Sequence, residues 1–222
     1  MNSTIKTIVN EKIIVIFRRL YDDQLLKTVE SLYKGGVRCV EVTFDQSDPD
    51  CVKKTGDSIK LLNYHFPDMT VGAGTVITLE QLLSANQAKA KYIISPNTDE
   101  DIITKTKELG LVSIPGATTP SEILKAHKHG ADIVKIFPSN SLGISYVKDL
   151  IGPINHIKFV VAAGITLNNI TDYLDIGCVG FGISGPLTDK ELINKEDYLE
   201  LERRASKFVD LVRQHENKNF IT

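Results

Sequence analysis

The chain has 222 residues, of which 42% are hydrophobic and 24% charged, and its formal net charge is -2. This composition predicts a globular protein with one sizeable core, and the near-neutral charge argues against a nucleic-acid partner or an anionic membrane surface. The N-terminal residues lack the apolar run of a secretory signal, and no stretch approaches membrane-spanning length. The three cysteines form no CxxC pair and are typical of reduced thiols, so we expect a cytoplasmic protein.

In chain order, apolar runs rich in β-branched residues alternate with amphipathic stretches about eight times. The runs predict strands near 12–17, 37–43, 69–72, 91–95, 111–114, 132–137, 157–162 and 178–182, with helices between them and a last helix over 191–214. Capping patterns mark two helix starts, at Thr78-Leu-Glu-Gln81 and Thr119-Pro-Ser-Glu122. The alternation predicts one α/β domain over residues 1–222, a single (β/α)8 TIM barrel, with a doubly wound open sheet as the alternative.

The second predicted strand, Val37 to Thr43, carries one carboxylate between two valines. Successive strand side chains point to opposite faces, so Glu41 faces away from Val40 and Val42. If the valines pack under the surrounding helices, Glu41 points into the interior of the barrel. A structural ion pair is the alternative interpretation.

The sixth predicted strand carries the matching anomaly, Lys135 in the apolar run Ala131-Asp-Ile-Val-Lys-Ile-Phe-Pro138. Burial lowers the pKa of a lysine and leaves a free amine that can attack a carbonyl carbon. Lys135 and Glu41 in one dry cavity therefore indicate Schiff-base chemistry in which the carboxylate moves protons. The carboxylate also favours the ammonium form of Lys135, so the sequence leaves the net direction of the pKa open, and a snorkelling lysine remains an alternative.

In a TIM barrel the active site forms where the strands end, and the later strands of this chain end in small residues. Glycines in the loops after the seventh and eighth strands allow backbone N–H groups to approach an anion such as phosphate closely. The relevant segments are Ala163-Gly164 and Gly182-Ile-Ser-Gly185.

The order of these motifs resembles that of a known family, the class I aldolases that cleave 2-keto-3-deoxy-6-phosphogluconate, 2-keto-3-deoxy-6-phosphogalactonate or 4-hydroxy-2-oxoglutarate and release pyruvate. The similar motifs span about Ile13 to Leu187 and are Gly36-Val-Arg-Cys-Val-Glu-Val-Thr43, Val71-Gly-Ala-Gly-Thr-Val76, Ile94-Ser-Pro-Asn97, Ile114-Pro-Gly116 with Thr119-Pro-Ser-Glu122, and Lys135-Ile-Phe-Pro138. The resemblance implies a homotrimer, a small keto-acid substrate, and no metal or other cofactor. It also implies that Lys135 forms the Schiff base, Glu41 is the general acid and base, and Thr75, Pro96 and Phe137 line the pyruvate pocket.

The chain departs from the gluconate-type members at two places. They have an arginine where this chain has Asp45, and Thr-Gly-Gly where it has Ala162-Ala-Gly164. Galactonate-type members instead carry an arginine at the end of the first strand, which Arg18 matches, although Ser184-Gly185 reverses their usual Gly-Ser order. Asp45, Ala163 and Ile183 are thus the departures at the phosphate end.

We expect the far anionic end of the substrate to be held by Arg18 and by the loops that contain Gly164, Gly182, Ser184 and Gly185. A galactonate-type or short keto acid is then favoured over the gluconate-type one. Arg19 is the rival of Arg18, because neighbouring strand residues point to opposite faces and only one of them can face the cavity.

Two other functions remain open at the level of sequence. A sugar-phosphate epimerase or isomerase on a similar barrel often uses metal-binding His and Asp residues at strand ends, and none is evident here. His127 and His129 are two residues apart on a predicted helix and do not share a face, so no metal site is expected. A catalytically inactive barrel that binds a sugar acid is the second alternative, suggested by Asp45 and Ala163.

Overall fold

A sheet of parallel strands forms the centre of the molecule in the computed structural model, which describes residues 2–219. Within those residues the order of the strands is β5-β4-β3-β2-β1-β9-β8-β7-β6, and every neighbouring pair is parallel. The strands are β1 Ile13–Phe17, β2 Cys39–Thr43, β3 Thr70–Gly74, β4 Tyr92–Ile94, β5 Val112–Ile114, β6 Gly116–Ala117, β7 Val134–Ile136, β8 Phe159–Ala162 and β9 Gly180–Ile183. Each of the eight predicted strands overlaps one of these.

The sheet closes into a barrel through the segment that contains β5 and β6. Pro115 alone separates the two strands, and β5 pairs with β4 whereas β6 pairs with β7. The break in the sheet between β5 and β6 is local, because hydrogen bonds still join this segment to the chain around β7. The Lys135 N–H donates to the Pro115 carbonyl at 2.8 Å, and the Asp132 N–H donates to the Ser113 carbonyl at 3.0 Å. The fold is therefore the predicted TIM barrel, and the open doubly wound sheet is excluded.

The helices surround the strands, and the long C-terminal helix predicted over 191–214 is in fact two helices. The chain breaks between them at Glu196, whose φ is 55°, and the Asp197 carboxylate then accepts the Glu200 N–H at 3.1 Å. The helices of the described residues are α1 Ser3–Glu11, α2 Asp22–Lys34, α3 Cys51–His65, α4 Leu79–Gln87, α5 Glu100–Glu108, α6 Pro120–Lys128, α7 Ser139–Leu142, α8 Ile144–Ile151, α9 Ile170–Asp175, α10 Lys190–Asn194 and α11 Tyr198–Asn219. Within residues 2–219, none of them has both the length and the apolar character needed to cross a bilayer.

Both predicted helix starts are confirmed. Thr119 and Glu122 form a capping box with Pro120 in the first turn of α6. At α4 the Thr78 side chain accepts the Gln81 N–H, and the Gln81 side chain accepts the N–H of Ile77 instead of that of Thr78. These caps end each preceding loop at a defined residue and so fix where the strand ends can lie.

The buried side chains form two layers, as strand alternation requires. The layer between strands and helices includes Val40, Val42, Val134 and Ile136. The second layer fills the barrel, where Ile14, Cys39, Tyr92, Ile94, Val112, Ile114, Ile133 and Val160 meet Ile5 and Ile8 of α1. Helix α1 was not predicted, and it covers the end of the barrel opposite the carboxyl ends of the strands.

Candidate active site

Lys135 and Glu41 both face the barrel interior, because the residues that flank each of them belong to the outer layer of the core. Three strands, β1, β9 and β8, lie between β2 and β7 in the sheet, so the two side chains approach from opposite walls. Lys135 is 8% exposed and Glu41 is 2% exposed. Within the described residues they form no direct ion pair, and Glu41 Oε2 is buried with no hydrogen-bond partner.

The space for the Glu41 carboxylate comes from the neighbouring strand β3. A Cβ at residue 74 would overlap Glu41 Oε1, so only glycine leaves room for this side chain. Two residues earlier, Gly72 leaves room for the ring of Tyr92, whose hydroxyl donates to the Val40 carbonyl at 2.6 Å. In the sequence these glycines stand out only as part of the motif Val71-Gly-Ala-Gly-Thr-Val76, which gives no sign that both make space inside the barrel.

Burial decides the protonation of both groups. It lowers the pKa of Lys135, Arg18 adds to the effect, and the Glu41 charge only partly opposes it. Burial likewise raises the pKa of Glu41 against the attraction of Lys135 and Arg18. Desolvation thus exceeds ion pairing, which the sequence could not decide, and it shifts the pKa of each group toward its neutral form.

A cavity of about 390 Å³ gives Lys135 access to a ligand. The Lys135 Nζ lies 5.1 Å from the centroid of the Phe137 ring, which forms part of the wall. The predicted site residues Arg18, Phe137, Gly164, Gly182, Ser184 and Gly185 all line this cavity with Lys135. The structure therefore brings the lysine, one arginine and both glycine-bearing loops together.

The loop after β8 exposes backbone at this cavity. Ala163 and Gly164 both adopt left-handed backbone conformations, with φ of 79° and 76°. The Ser139 hydroxyl secures the loop from the side by contacting the Ala162 and Ala163 carbonyl oxygens at 3.0 and 2.8 Å. A Cβ at residue 164 would overlap Asn140, so this position requires glycine for both space and conformation.

The register of β1 separates the two arginines. Ile14 lies in the inner layer and Phe17 in the outer one, so Arg18 is the one that continues the inward face, as predicted. Arg19 has a φ of 56° and turns toward the end of β2, where its Nε lies 2.7 Å from Asp45 Oδ2. Asp45, which was expected to repel an anion, is therefore paired with a cation.

A second cavity of about 510 Å³ lies beside the first, on the side of β2 and β3. Arg18 borders both cavities, whereas Thr75 lines only the second of the two. Pro96 lines neither cavity, and its carbonyl oxygen packs against Gly116.

Among residues 2–219, no three His, Cys, Asp or Glu side chains are grouped so that they could hold a metal ion.

Comparison with known proteins assigns this barrel to a family. The family described as KDPG and KHG aldolase matches residues 4–204. The chain belongs to this aldolase family. It is thus a carbon–carbon lyase of the KDPG/KHG type, which confirms the resemblance seen in its motifs and displaces the sugar-phosphate epimerase as an alternative.

Relatives of this KDPG/KHG aldolase carry different substrate names. The chain is 30% identical over 192 residues to the 2-dehydro-3-deoxy-phosphogluconate aldolase of Haemophilus influenzae, with 86% of this chain and 88% of that one covered. It is 29% identical over 181 residues to the 2-dehydro-3-deoxy-6-phosphogalactonate aldolase of Escherichia coli K12, with 79% and 83% covered.

A solved structure shows the same fold with a ligand. It is the KDPG aldolase of Legionella pneumophila with pyruvate captured at low pH as a covalent carbinolamine intermediate, and it matches with a TM-score of 0.82 at 25% identity. The match covers 92% of this chain and 97% of that one.

Proposed function

We propose that the protein is a class I aldolase that cleaves a 2-keto-3-deoxy sugar acid, or 4-hydroxy-2-oxoglutarate, to pyruvate and an aldehyde such as glyceraldehyde 3-phosphate. The observation that carries this proposal is Lys135, which is buried, lines a cavity and has its pKa lowered by burial. The pyruvate carbinolamine captured in the related Legionella aldolase supports the same chemistry.

Lys135 acts as the nucleophile. Its neutral amine attacks the C2 ketone of the keto acid to form a carbinolamine, and loss of water gives an iminium ion. The iminium draws electrons from the C3–C4 bond, which breaks and releases the aldehyde. The remaining enamine of pyruvate takes up a proton at C3, and water then hydrolyses the iminium to free pyruvate and Lys135.

Glu41 moves the protons. In cleavage it accepts the proton of the C4 hydroxyl, and it then returns a proton to C3 of the enamine. Among the described residues no group donates a hydrogen bond to its Oε2, so no protein donor competes for that oxygen. The raised pKa of Glu41 brings it closer to the pH at which proton transfer in both directions is efficient.

Arg18 selects among substrates by binding the anionic group at the end remote from the C2 ketone. It faces the Lys135 cavity, opposite the backbone of Gly164 and of Gly182 to Gly185, which suits a phosphate or a carboxylate. A galactonate-type or short keto acid is preferred over the gluconate-type one, because Arg18 matches the arginine that galactonate-type members carry at the end of the first strand. The family resemblance also supports a cytoplasmic homotrimer.

Pyruvate trapping with borohydride tests the role of Lys135. Reduction should attach pyruvate to Lys135 in the wild type, and Lys135→Ala should abolish both trapping and cleavage while the fold is retained. Lys158→Ala is the matched control, since this exposed lysine precedes β8 at the opposite end of the barrel. Pyruvate attached to another lysine, or trapping without cleavage of any keto acid, would contradict the proposal, the latter in favour of a binding barrel.

Assays with the three keto acids test the role of Arg18. A charge-assisted hydrogen bond contributes about 1.5–3 kcal/mol, so Arg18→Ala should lower kcat/KM for a phosphorylated substrate by about 10- to 150-fold. If the gluconate-type substrate is turned over fastest by the wild type, the specificity argument is wrong.

A further inference from the structure

One loop connects the wall of the Lys135 cavity to the outer helices. It runs from Ser184 to Asp189, between the end of β9 and the start of α10. Its first three residues line the cavity that contains Lys135. Within residues 2–219, the N–H groups of Ser184 and Gly185 have no hydrogen-bond acceptor, and a Cβ at residue 185 would meet no atom within 4 Å. Both donors are therefore available to an anion.

The loop is folded on itself and caps the helix that follows it. The N–H groups of Leu187 and Thr188 both donate to the Ser184 carbonyl at 2.8 Å, and Leu187 is fully buried. At the end of the loop, Asp189 Oδ1 accepts the Glu191 N–H at 2.9 Å. One oxygen of Asp189 thus faces α10, and Oδ2 is left for a partner outside the loop.

Arg204 of α11 is that partner. Its Nη1 donates to Asp189 Oδ2 at 3.1 Å and to the Pro186 carbonyl at 3.3 Å. Its Nε donates to Glu200 Oε1 at 2.9 Å, one turn earlier on α11. These contacts fix the plane of the guanidinium group, so Arg204 ties the loop to the long helix at two residues. Arg204 lines neither the Lys135 cavity nor the second cavity, so its effect on a ligand there must pass through the loop.

We propose that Arg204 is a positioning residue for the far anionic end of the substrate. By fixing Pro186 and Asp189 against α11, it holds the N–H groups of Ser184 and Gly185 in the place where a phosphate or carboxylate binds. This inference rests on the proposed function, in which the loop and Arg18 receive that group. The affinity for the far end is then set partly from α11, a helix outside the barrel.

Arg203 provides a matched control on the same helix. Among the described residues its guanidinium group hydrogen-bonds to Glu200 alone, and it makes no such contact with the loop. Its removal leaves the contacts of Arg204 with Pro186 and Asp189 in place. Arg203→Ala therefore takes an arginine out of the same surface network without releasing the loop.

Two measurements on the same preparations test the proposal. For the keto acid that the wild type cleaves fastest, Arg204→Ala should lower kcat/KM by about 10- to 100-fold, mainly through KM, because a displacement of about 1 Å in a binding group can cost about 10²-fold. The pyruvate concentration for half-maximal borohydride trapping should not change, because pyruvate has no far end. Arg203→Ala should keep the wild-type value of both.

Two conservative variants grade the effect. Asp189→Asn keeps an acceptor for α10, since asparagine is as good as aspartate at a helix N-cap, but it removes the charge that Arg204 faces. Arg204→Lys keeps a charge and loses the planar fork. Both should give KM values between those of the wild type and Arg204→Ala. Asp189→Asn added to Arg204→Ala should lower kcat/KM little further, because the two changes break the same contact.

The outcomes distinguish this inference from the proposed function. If the wild type does not trap pyruvate, or cleaves none of the keto acids, the proposed function fails. If the wild type does both and folded Arg204→Ala keeps the wild-type kcat/KM, the role of Arg204 alone is overturned. An equal loss of pyruvate trapping and cleavage, or an equal loss in Arg203→Ala, would also overturn it, since a residue that only stabilised the fold would act on both substrates. Thermal unfolding of each variant checks that the fold is retained.

Discussion

The Glu41 carboxylate illustrates how a single residue is prepared for chemistry. It is buried, and its Oε2 has no hydrogen-bond partner among residues 2–219, although buried polar groups in proteins are usually hydrogen-bonded. An unpaired buried group of this kind destabilises the fold, so its presence is understandable if the substrate supplies the missing bond. Lys135 is the complementary case, a buried amine without a direct carboxylate partner in the described part of the chain.

Glu41→Gln should slow cleavage without preventing imine formation. General acid–base catalysis contributes about 10²- to 10⁴-fold, so turnover should fall by that amount while pyruvate trapping on Lys135 persists. Single-turnover cleavage and trapping on the same preparation measure the two effects. Unchanged turnover would leave Glu41 as a structural residue only.

Gly74→Ala should imitate the loss of Glu41 without changing that residue. The new Cβ would overlap Glu41 Oε1, so the carboxylate must move and kcat should fall by about 10-fold or more, approaching the effect of losing general acid–base catalysis. Gly152→Ala is the control, because its Cβ would come no closer than 3.8 Å to the Lys148 carbonyl oxygen, its nearest contact, and the backbone there has a φ of -48°. Normal kcat in folded Gly74→Ala would show that the carboxylate position is not critical.

At the scale of elements, α1 has a role in stability that is separate from the site. Its buried Ile5 and Ile8 pack into the inner layer of the barrel at the end away from the strand termini. In TIM barrels the carboxyl end of the strands carries the function and the other end contributes to stability. The candidate active site and the stabilising contacts of α1 therefore lie at opposite ends of the same strands.

Ile8→Ala should destabilise the protein and leave catalysis of the folded fraction intact. Truncation of a fully buried isoleucine costs about 2–5 kcal/mol in the free energy of unfolding. Urea unfolding measures this cost, and kcat/KM at low temperature measures the site. Leu199→Ala is the matched control, because Leu199 is 77% exposed and its truncation should change stability little. A changed KM in folded Ile8→Ala would show that the two ends are coupled.

The strands and the two inward charges could be predicted because strand alternation and β-branched runs are local signals. The division at Pro115 could not, because it depends on which strands pair across the closure of the barrel. Helix α1 has few apolar residues, and only its contacts inside the barrel stabilise it. The pairing of Arg19 with Asp45 joins residues 26 positions apart in the chain, and the sequence alone shows each charge without its partner.

At the scale of the whole molecule, the two buried ionisable groups make the stability depend on pH in opposite directions. The folded pKa of Glu41 lies above its unfolded value, so stability is lost as pH rises through the folded pKa. The folded pKa of Lys135 lies below its unfolded value, so stability is lost as pH falls through the folded pKa. The two costs therefore overlap in the intermediate pH range, and each is relieved only at one extreme of pH.

Unfolding free energies measured across pH should reveal both effects. Glu41→Gln should stabilise the protein at neutral and alkaline pH by roughly 1.4 kcal/mol for each unit of pKa shift, and the gain should fade toward the ordinary glutamate pKa of about 4.3. Lys135→Met should show the reverse, a gain that fades as pH rises toward about 10.4. A gain that does not vary with pH in either variant would contradict the burial of charge as its cause.

Because Gly74 has no side chain, the space that holds the Glu41 carboxylate could instead hold a small carboxylic acid from solution. Glu41→Ala would remove a fragment the size of acetate while Gly74 keeps its place open. Added acetate should then restore part of the cleavage rate in a saturable way, and benzoate, which is too large, should not. Such chemical rescue would give an aldolase whose proton transfer is switched on from solution by a small acid.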